Sequence, residues 1–228
     1  MTTRARQTID VVLFDLDGTL ADTAPDLAAA ANAMVTDRGR PEVPFALLRP
    51  QASHGARGLI GAAFGVTPDD PGYEALRVEF LERYESAICV NTRLFDGMPA
   101  LLTALEDRSM PWGIVTNKVS RFTDPLVKLL GLSGRAACIV SGDTTPRTKP
   151  HPEPLFEAAR RVNRAPASCV YIGDDARDIA AGLAAGMATI AAAYGYCGDS
   201  DPHSWHADAV INHAAEIFPL VGRAVTAT

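Results

Sequence analysis

The sequence predicts an α/β protein in which a doubly wound parallel sheet carries an inserted all-helical domain. Short, continuously apolar runs recur along the chain, as expected for strands buried on both faces of a parallel sheet. Segments with helical apolar spacing lie between them, and this alternation is typical of doubly wound sheets. The long interval between the first two apolar runs has helical patterns only, which predicts the inserted domain.

The first strand is predicted at residues 11–14, and the inserted domain follows it. Helices are predicted there at residues 25–37, 59–64 and 73–88, the last with apolar residues at i, i+3 and i+4 spacing. A structureless loop of this length would be unusual in a compact domain. We therefore expect a helical domain over residues 22–95 and a core domain formed by residues 1–21 and 96–228.

The rest of the chain supplies the remaining core elements in alternation. Helices are predicted at residues 98–107, 122–130, 154–162 and 177–185. Strands are predicted at residues 112–115, 137–140, 169–172 and 188–191, with a shorter strand at residues 209–211. Because the strand segments are continuously apolar, we expect them to be covered by helices on both faces.

Composition and charge exclude several classes of function. The chain has 228 residues, of which 47% are hydrophobic and 21% charged, with a formal net charge of -6. This charge argues against a basic surface for nucleic acid, although a local cluster of cations can still bind a small anion. No run reaches the roughly 18 apolar residues of a membrane span, and residues 1–10 are too polar for a secretory signal. We therefore expect a cytoplasmic protein with neither nucleic acid nor a membrane as a partner.

The cysteines occur singly along the chain and form no paired motif. We expect all of them to be reduced, because disulfides are rare in proteins without a secretory signal; they are Cys89, Cys138, Cys169 and Cys197. No large apolar stripe is left unassigned, which favours a monomer.

Two acidic residues follow the first strand in the segment Phe14-Asp15-Leu16-Asp17-Gly18-Thr19. Residues two apart on an extended chain point to the same side, here at the strand end where open α/β sheets bind ligands. Carboxylates this close repel each other unless a cation or a proton intervenes, and oxygen ligands suit Mg²⁺. The alternative is an acidic turn, because Asp-Gly is a common turn dipeptide.

Polar and charged residues also follow three later strands. Thr116 and Asn117 can hold phosphate oxygens, although both residue types also cap helices. Lys149 precedes a proline that stiffens the backbone around it, although most single lysines are merely solvated. A second acidic cluster, Gly173-Asp174-Asp175-Ala176-Arg177-Asp178, follows the fourth strand. Together these groups predict one site at a single edge of the sheet.

In this order, the motifs Asp-x-Asp-Gly-Thr, Thr-Asn, Lys-Pro and Gly-Asp-Asp-x-x-Asp resemble those of the haloacid dehalogenase superfamily of phosphatases. The helical insert also falls where that superfamily places its type-1 cap, so the resemblance covers nearly the whole chain. The chain is most similar to the phosphoglycolate phosphatase-like group and, through segments such as residues 79–84 and 112–118, to bacterial N-acetylmuramic acid 6-phosphate phosphatases. The resemblance implies a Rossmann-like core and a small phosphorylated metabolite as substrate, either 2-phosphoglycolate or N-acetylmuramic acid 6-phosphate.

The resemblance also implies roles for the residues at the first strand end. Asp15 would be the nucleophile that forms an aspartyl-phosphate intermediate. Asp17 would act as general acid and then as general base. Mg²⁺ would be held by the Asp15 side chain, the Asp17 backbone carbonyl and the Asp174 side chain. Gly18 would lie beside the substrate in one of two cap hinges, expected at residues 18–23 and 92–97, where ordinary turns are the alternative.

The later motifs would bind the phosphoryl group. Thr116 and Asn117 would donate hydrogen bonds to it, and Lys149 would supply a fixed positive charge beside the nucleophile. Asp175 and Asp178 would support Asp174 and the water molecules bound to the metal, and the sequence leaves open whether either of them also touches the metal directly.

The inserted domain offers one candidate for contact with the organic part of the substrate. We expect residues 53–58 to form a substrate-facing loop, in which Arg57 can pair bidentately with a carboxylate. The alternative is a solvated arginine.

Other functions remain open at the level of sequence. A sugar phosphomutase of the same superfamily keeps both acids of the first motif, and a catalytically silent binding protein can keep the fold. A signalling receiver domain also clusters acids around an accepting aspartate, but the Asp-x-Asp-Gly-Thr motif and the helical insert argue against it.

Overall fold

The computed structural model describes residues 8–221 and confirms the predicted α/β fold. The strands are β1 (Val11–Phe14), β2 (Ala21–Asp22), β3 (Arg93–Leu94), β4 (Trp112–Val115), β5 (Cys138–Val140), β6 (Cys169–Gly173), β7 (Ala188–Ala192) and β8 (Ala209–Ile211). The helices are α1 (Ala24–Thr36), α2 (Phe45–Leu48), α3 (Gly55–Phe64), α4 (Tyr73–Ser86), α5 (Met98–Asp107), α6 (Ser120–Leu129), α7 (Glu153–Arg161), α8 (Ala176–Ala185) and α9 (Ile217–Val221). The outermost ends of the expected core domain, residues 1–7 and 222–228, lie outside the described residues.

The main sheet has six parallel strands in the order β5-β4-β1-β6-β7-β8 within the described range. Strand β1 lies near the centre, where Val12 is in register with Trp112 on one side and Val170 on the other. All residues of β1, β4, β6 and β7 are buried, which explains why their sequences are continuously apolar. The chain winds outward from β1 in both directions, so the carboxyl ends of β1, β4 and β6 meet at the middle of one edge.

Helices α1 to α4 and the 3₁₀ helix Arg49–His54 form the helical insert. Two ion pairs of 2.6 Å each, Arg38–Glu79 and Arg83–Asp37, link α4 to the C-terminal end of α1. The buried side chains of the insert and those on one face of the sheet belong to one continuous apolar cluster. The insert therefore packs directly on the core.

The insert is joined to the core by a two-stranded antiparallel ribbon that the sequence pattern did not predict. Ala21 is paired with Leu94, and Asp22 with Arg93. Strands of two residues are too short to show an apolar pattern. The ribbon brings the segment that leaves the core beside the segment that returns to it.

The returning segment is anchored to α1 by one buried carboxylate. The Asp26 oxygens accept hydrogen bonds from the backbone N–H groups of Val90, Asn91 and Thr92 at 2.9 Å each. The Thr92 hydroxyl donates a further hydrogen bond of 2.7 Å to Asp26. One side chain therefore satisfies three consecutive backbone donors just before the ribbon.

Two helix starts differ from the sequence-based prediction. Helix α6 begins at Ser120 because Asp143 accepts hydrogen bonds from the Ser120 N–H, at 2.8 Å, and hydroxyl, at 2.6 Å. Helix α3 begins at Gly55 although glycine disfavours helices. A second glycine, Gly58, lies in the first turn of α3. A Cβ atom at Gly58 would lie 2.6 Å from the His54 Cβ, so the close packing of this turn against the preceding one requires glycine at residue 58.

In residues 8–221, no helix is long and apolar enough to cross a membrane.

Candidate active site

The motif residues of the core meet at the carboxyl edge of the sheet, as predicted. Asp15 and Asp17 follow β1, Thr116 to Lys118 follow β4, and Asp174 follows β6. Lys149 reaches the same place from the segment between β5 and α7.

Lys149 is the centre of the site. Its Nζ atom lies 2.7 Å from Asp15 Oδ1 and 2.7 Å from Asp178 Oδ1, and it donates to the Val115 carbonyl at 3.1 Å. Burial alone would lower the pKa of this ammonium group, but the two carboxylates outweigh burial and raise it. Lys149 is therefore a permanent, buried positive charge against Asp15.

Asn117 holds the backbone of Lys149. Its amide N–H donates to the Lys149 carbonyl at 3.0 Å, and its carbonyl accepts from the Lys149 N–H at 2.9 Å. One amide hydrogen of Asn117 remains for a ligand. The buried Thr116 hydroxyl accepts a hydrogen bond from the Lys118 N–H at 3.1 Å, which leaves its own hydrogen free to donate.

Three carboxylates form a compact acidic group. Ligand oxygens of Asp15, Asp174 and Asp178 lie within 4.8 Å of one another. Burial raises the pKa of Asp15 to about 7 in spite of the charge of Lys149, and burial with repulsion from Asp15 and Asp178 raises the pKa of Asp174 well above its ordinary value. A divalent cation would remove this repulsion, and oxygen ligands suit Mg²⁺. The residues therefore fit a magnesium ion.

Hydrogen bonds and close packing fix the position of the Asp174 side chain. Its oxygens accept hydrogen bonds of 2.8 Å from the Thr19 hydroxyl and from the Tyr196 N–H. Two glycines make room for it, because a Cβ atom at Gly18 would lie 2.1 Å from Asp174 Oδ2, and one at Gly195 would lie 2.2 Å from Asp174 Cβ. Gly18 also has φ +89°, a conformation that favours glycine.

Asp178 has a structural as well as an electrostatic role. Its Oδ2 accepts a hydrogen bond from the Asp175 N–H at 3.2 Å, and the Asp175 side chain accepts one from the Arg177 N–H at 2.8 Å. This reciprocal arrangement is a capping box at the start of α8. Asp178 is thus fixed by the helix start and pairs with Lys149 on its other oxygen.

Asp17 lies at the border between core and insert. Its Oδ1 accepts a hydrogen bond of 2.6 Å from the Thr23 hydroxyl and forms an ion pair of 2.8 Å with Lys118 Nζ. Sequence reasoning missed Lys118 as a site residue, although it directly follows the predicted Thr116 and Asn117.

A cavity of about 310 Å³ extends from the core motifs to the insert. Its lining from the insert comprises Leu27, Ala52, Ser53, His54, Gly55, Ala56, Arg77, Phe80, Leu81 and Tyr84. Arg57 is exposed and does not line the cavity, so the structure does not support its expected contact with a substrate carboxylate. Residue 57 lies in α3 rather than in a loop, and on this helix it is the preceding residue, Ala56, that lines the cavity.

Two arginines that sequence reasoning did not select line the cavity instead. Arg77 comes from α4 of the insert, and Arg177 from α8 of the core. Arg177 forms an ion pair of 2.8 Å with Asp175 and donates to the Ser53 carbonyl of the insert at 2.8 Å. Arg177 therefore connects the core to the insert beside the acidic group.

Comparisons with known proteins agree with this geometry. The family model of haloacid dehalogenase-like hydrolases matches residues 9–186. The chain is 45% identical, over 94% of its length and 96% of the relative, to an N-acetylmuramic acid 6-phosphate phosphatase of Pseudomonas putida. It is 46% identical, over 91% of its length and 94% of the relative, to a phosphoglycolate phosphatase of Xanthomonas campestris. A crystal structure described as a predicted phosphoglycolate phosphatase from Haemophilus somnus superposes with a TM-score of 0.83 at 26% identity, covering 93% of this chain and 98% of that one.

Proposed function

We propose that this chain, which belongs to the haloacid dehalogenase-like hydrolase family and is a phosphoric monoester hydrolase, acts on N-acetylmuramic acid 6-phosphate. The observation that carries the proposal is the buried Asp15–Lys149 pair at the floor of a cavity that the helical insert covers. The relatives named above support two substrates, the muramic ester and 2-phosphoglycolate.

The size of the cavity favours the muramic ester. A volume of about 310 Å³ is at the lower end of the roughly 300–1,000 Å³ of pockets that bury drug-sized ligands. This space suits an amino sugar with its substituents, whereas a two-carbon acid would fill a small part of it. Apolar side chains of the insert, such as Leu27, Phe80 and Leu81, would pack against the sugar and its methyl groups.

In the proposed reaction, an Asp15 carboxylate oxygen attacks phosphorus and the bond between phosphorus and the ester oxygen breaks. Asp17 donates a proton to the departing sugar oxygen, so that the free sugar leaves and phosphate remains on Asp15. Asp17 then takes a proton from a water molecule that attacks the acyl phosphate, which releases inorganic phosphate and restores both acids. Because Thr23 and Lys118 both contact Oδ1 of Asp17, its Oδ2 is the oxygen proposed to carry the proton.

The other motif residues hold the phosphoryl group in place. Lys149 would balance its charge and orient Asp15, and Thr116 and the remaining amide hydrogen of Asn117 would donate to its oxygens. The Gly18 turn lets the backbone approach Asp174 closely. Asp175 is proposed to keep Arg177 in position between core and insert.

We further propose Mg²⁺ as the cofactor, held by the side chains of Asp15 and Asp174 and by the backbone carbonyl of Asp17. The ion would neutralise the negative charge that the carboxylates and the phosphate bring together. Asp178 would support the metal site without being one of these ligands. One of its carboxylate oxygens pairs with Lys149, and the other accepts a hydrogen bond at the start of α8.

We propose that residues 22–95 act as the cap, that the chain works in the cytoplasm and that it works as a monomer. Four free cysteines suit a reducing compartment.

The test is phosphate release by the purified protein from N-acetylmuramic acid 6-phosphate, 2-phosphoglycolate and N-acetylglucosamine 6-phosphate. We expect the highest kcat/KM with the muramic ester, loss of activity with EDTA and recovery with Mg²⁺. Asp15→Asn should abolish turnover, while Asp10→Asn, the same chemical change at an exposed residue outside the cavity, should not. Preference for 2-phosphoglycolate would refute the proposed substrate. Isomerisation of a sugar phosphate without phosphate release would indicate a mutase. If no ester is turned over, the chain is a catalytically silent binding protein.

A further inference from the structure

Helix α4 presents one continuous stripe of side chains to the cavity. Arg77, Phe80, Leu81 and Tyr84 all line it, at the spacing that places residues on one face of a helix. The opposite side of α4 is held to α1 by the ion pairs of Glu79 and Arg83 described above. The stripe is therefore directed at the cavity by a fixed helix.

Tyr84 has a buried hydroxyl group without a hydrogen-bond partner among the described residues. Its ring is 1% exposed and packs between Phe80, with centroids 6.5 Å apart, and Phe122, with centroids 5.7 Å apart. The Lys118 ammonium lies over the ring face, 4.8 Å from its centroid, and its charge opposes part of the effect of burial on the hydroxyl pKa. Burial raises the pKa of Tyr84 to about 12, so the group stays a neutral donor at physiological pH.

An unpartnered buried hydroxyl is rare, because leaving it without a hydrogen bond disfavours the folded state. Phenylalanine would fill the same space without that cost. Tyr84 also lines the cavity, beside Lys118 and thus near the proposed acid Asp17. The geometry indicates that its partner is an oxygen of the ligand.

Arg77 lies seven residues before Tyr84, which is a rise of about 10 Å along the helix. Its guanidinium group pairs with Glu74 at 2.7 Å, and both side chains are substantially exposed. Exposed pairs of this kind contribute little stability, so a ligand carboxylate can replace Glu74. Phe80 and Leu81 supply an apolar wall between the two polar ends of the stripe.

We propose that α4 selects the substrate by binding it at two points. The Tyr84 hydroxyl hydrogen-bonds to an oxygen of the sugar next to the phosphate, and Arg77 pairs with a carboxylate on the far side of the sugar. This inference rests on the proposed function, and it makes the substrate class a phosphate monoester whose carboxylate is separated from the phosphate by a sugar ring. A two-carbon phosphate ester is too short to reach both residues.

The first test compares two esters that differ only in the carboxylate-bearing group, N-acetylmuramic acid 6-phosphate and N-acetylglucosamine 6-phosphate. In Arg77→Gln, the ratio of their kcat/KM values should fall about tenfold or more, because a hydrogen-bonded charge pair is lost. Arg57→Gln is the matched control, since it removes the same charge from an exposed position of the insert outside the cavity lining. Equal ratios in the two variants would overturn the role of Arg77.

The second test concerns Tyr84→Phe, which removes only the hydroxyl. The kcat/KM for the muramic ester, taken relative to that for p-nitrophenyl phosphate, should fall about three- to tenfold. The Tm of the free protein should be equal to or higher than that of the wild type, because no hydrogen bond is lost. A lower Tm with an unchanged ratio would show that the hydroxyl only stabilises the fold.

A binding measurement separates this inference from the proposed function. Titration calorimetry with N-acetylmuramic acid 6-phosphate, on Asp15→Asn protein with Mg²⁺, should show at least tenfold weaker binding when Arg77→Gln is added. Such binding without turnover by the wild type would refute the proposed function and support the role of α4. Turnover by the wild type with no effect of either α4 variant would support the function and refute the inference. If the protein neither binds nor hydrolyses the muramic ester, both the proposed function and the role of α4 are refuted.

Discussion

Replacing Gly18 by alanine should disturb the active site through a single added carbon atom. The new Cβ would lie 2.1 Å from Asp174 Oδ2, and the position has φ +89°. The backbone conformation costs about 1–2 kcal/mol for alanine, and overpacking costs about 1–3 kcal/mol more. We therefore expect Gly18→Ala to lower the free energy of unfolding by about 2–5 kcal/mol.

The same variant should lose activity out of proportion to its stability. To restore contact distance, the Asp174 carboxylate must move by about 1 Å, and a displacement of that size in an active site can reduce kcat about 100-fold. The assay is kcat with the muramic ester, together with urea unfolding followed by tryptophan fluorescence. The matched control is Gly186→Ala, where φ is +74° but no atom lies within 4 Å of the added carbon. If the two variants have equal stability and equal kcat, the argument from close approach is wrong.

Three further predictions concern the buried polar groups. Lys149→Met should lower the free energy of unfolding by about 3–5 kcal/mol and abolish turnover, because two buried carboxylates lose their cation; unfolding in urea at the wild-type midpoint would contradict this. Asp26→Asn should lower the free energy of unfolding by about 1.5–3 kcal/mol, because the returning segment loses a charged hydrogen-bond acceptor. Urea unfolding measures this change, and an unchanged midpoint would count against the prediction. Burial raises the pKa of the Cys138 and Cys169 thiols to about 11, so a disulfide reagent at pH 8 should modify them only after unfolding; mass spectrometry of native protein that shows rapid modification would refute this.

The sheet, and the edge of it that carries the candidate site, could be predicted from the sequence because both depend on local patterns. Continuous apolar runs identify buried strands, and the parallel topology brings their carboxyl ends together whatever the details of packing. Asp15, Lys149 and Asp174 could therefore be placed at one edge before their contacts were known.

The insert was harder to predict because its surface depends on the rotation of each helix. Arg57 was selected as a loop residue, but α3 begins two residues before it and Arg57 is not among the residues that line the cavity. Arg77 and Tyr84 belong to a helix that was predicted, yet nothing local shows which side of that helix faces the core. The partners of Lys118 lie at distant positions in the sequence, so its place beside Asp17 follows only from the fold.

The short ribbon of β2 and β3 places the two ends of the helical insert side by side. An insertion whose ends are adjacent can be lengthened, shortened or exchanged without altering the structure into which it is spliced. The residues proposed to react follow the strands of the main sheet, whereas the residues proposed to select the substrate lie between the two halves of the ribbon. With the roles proposed above, reaction and selectivity are encoded by separable segments of the gene, and one can diversify while the other is preserved.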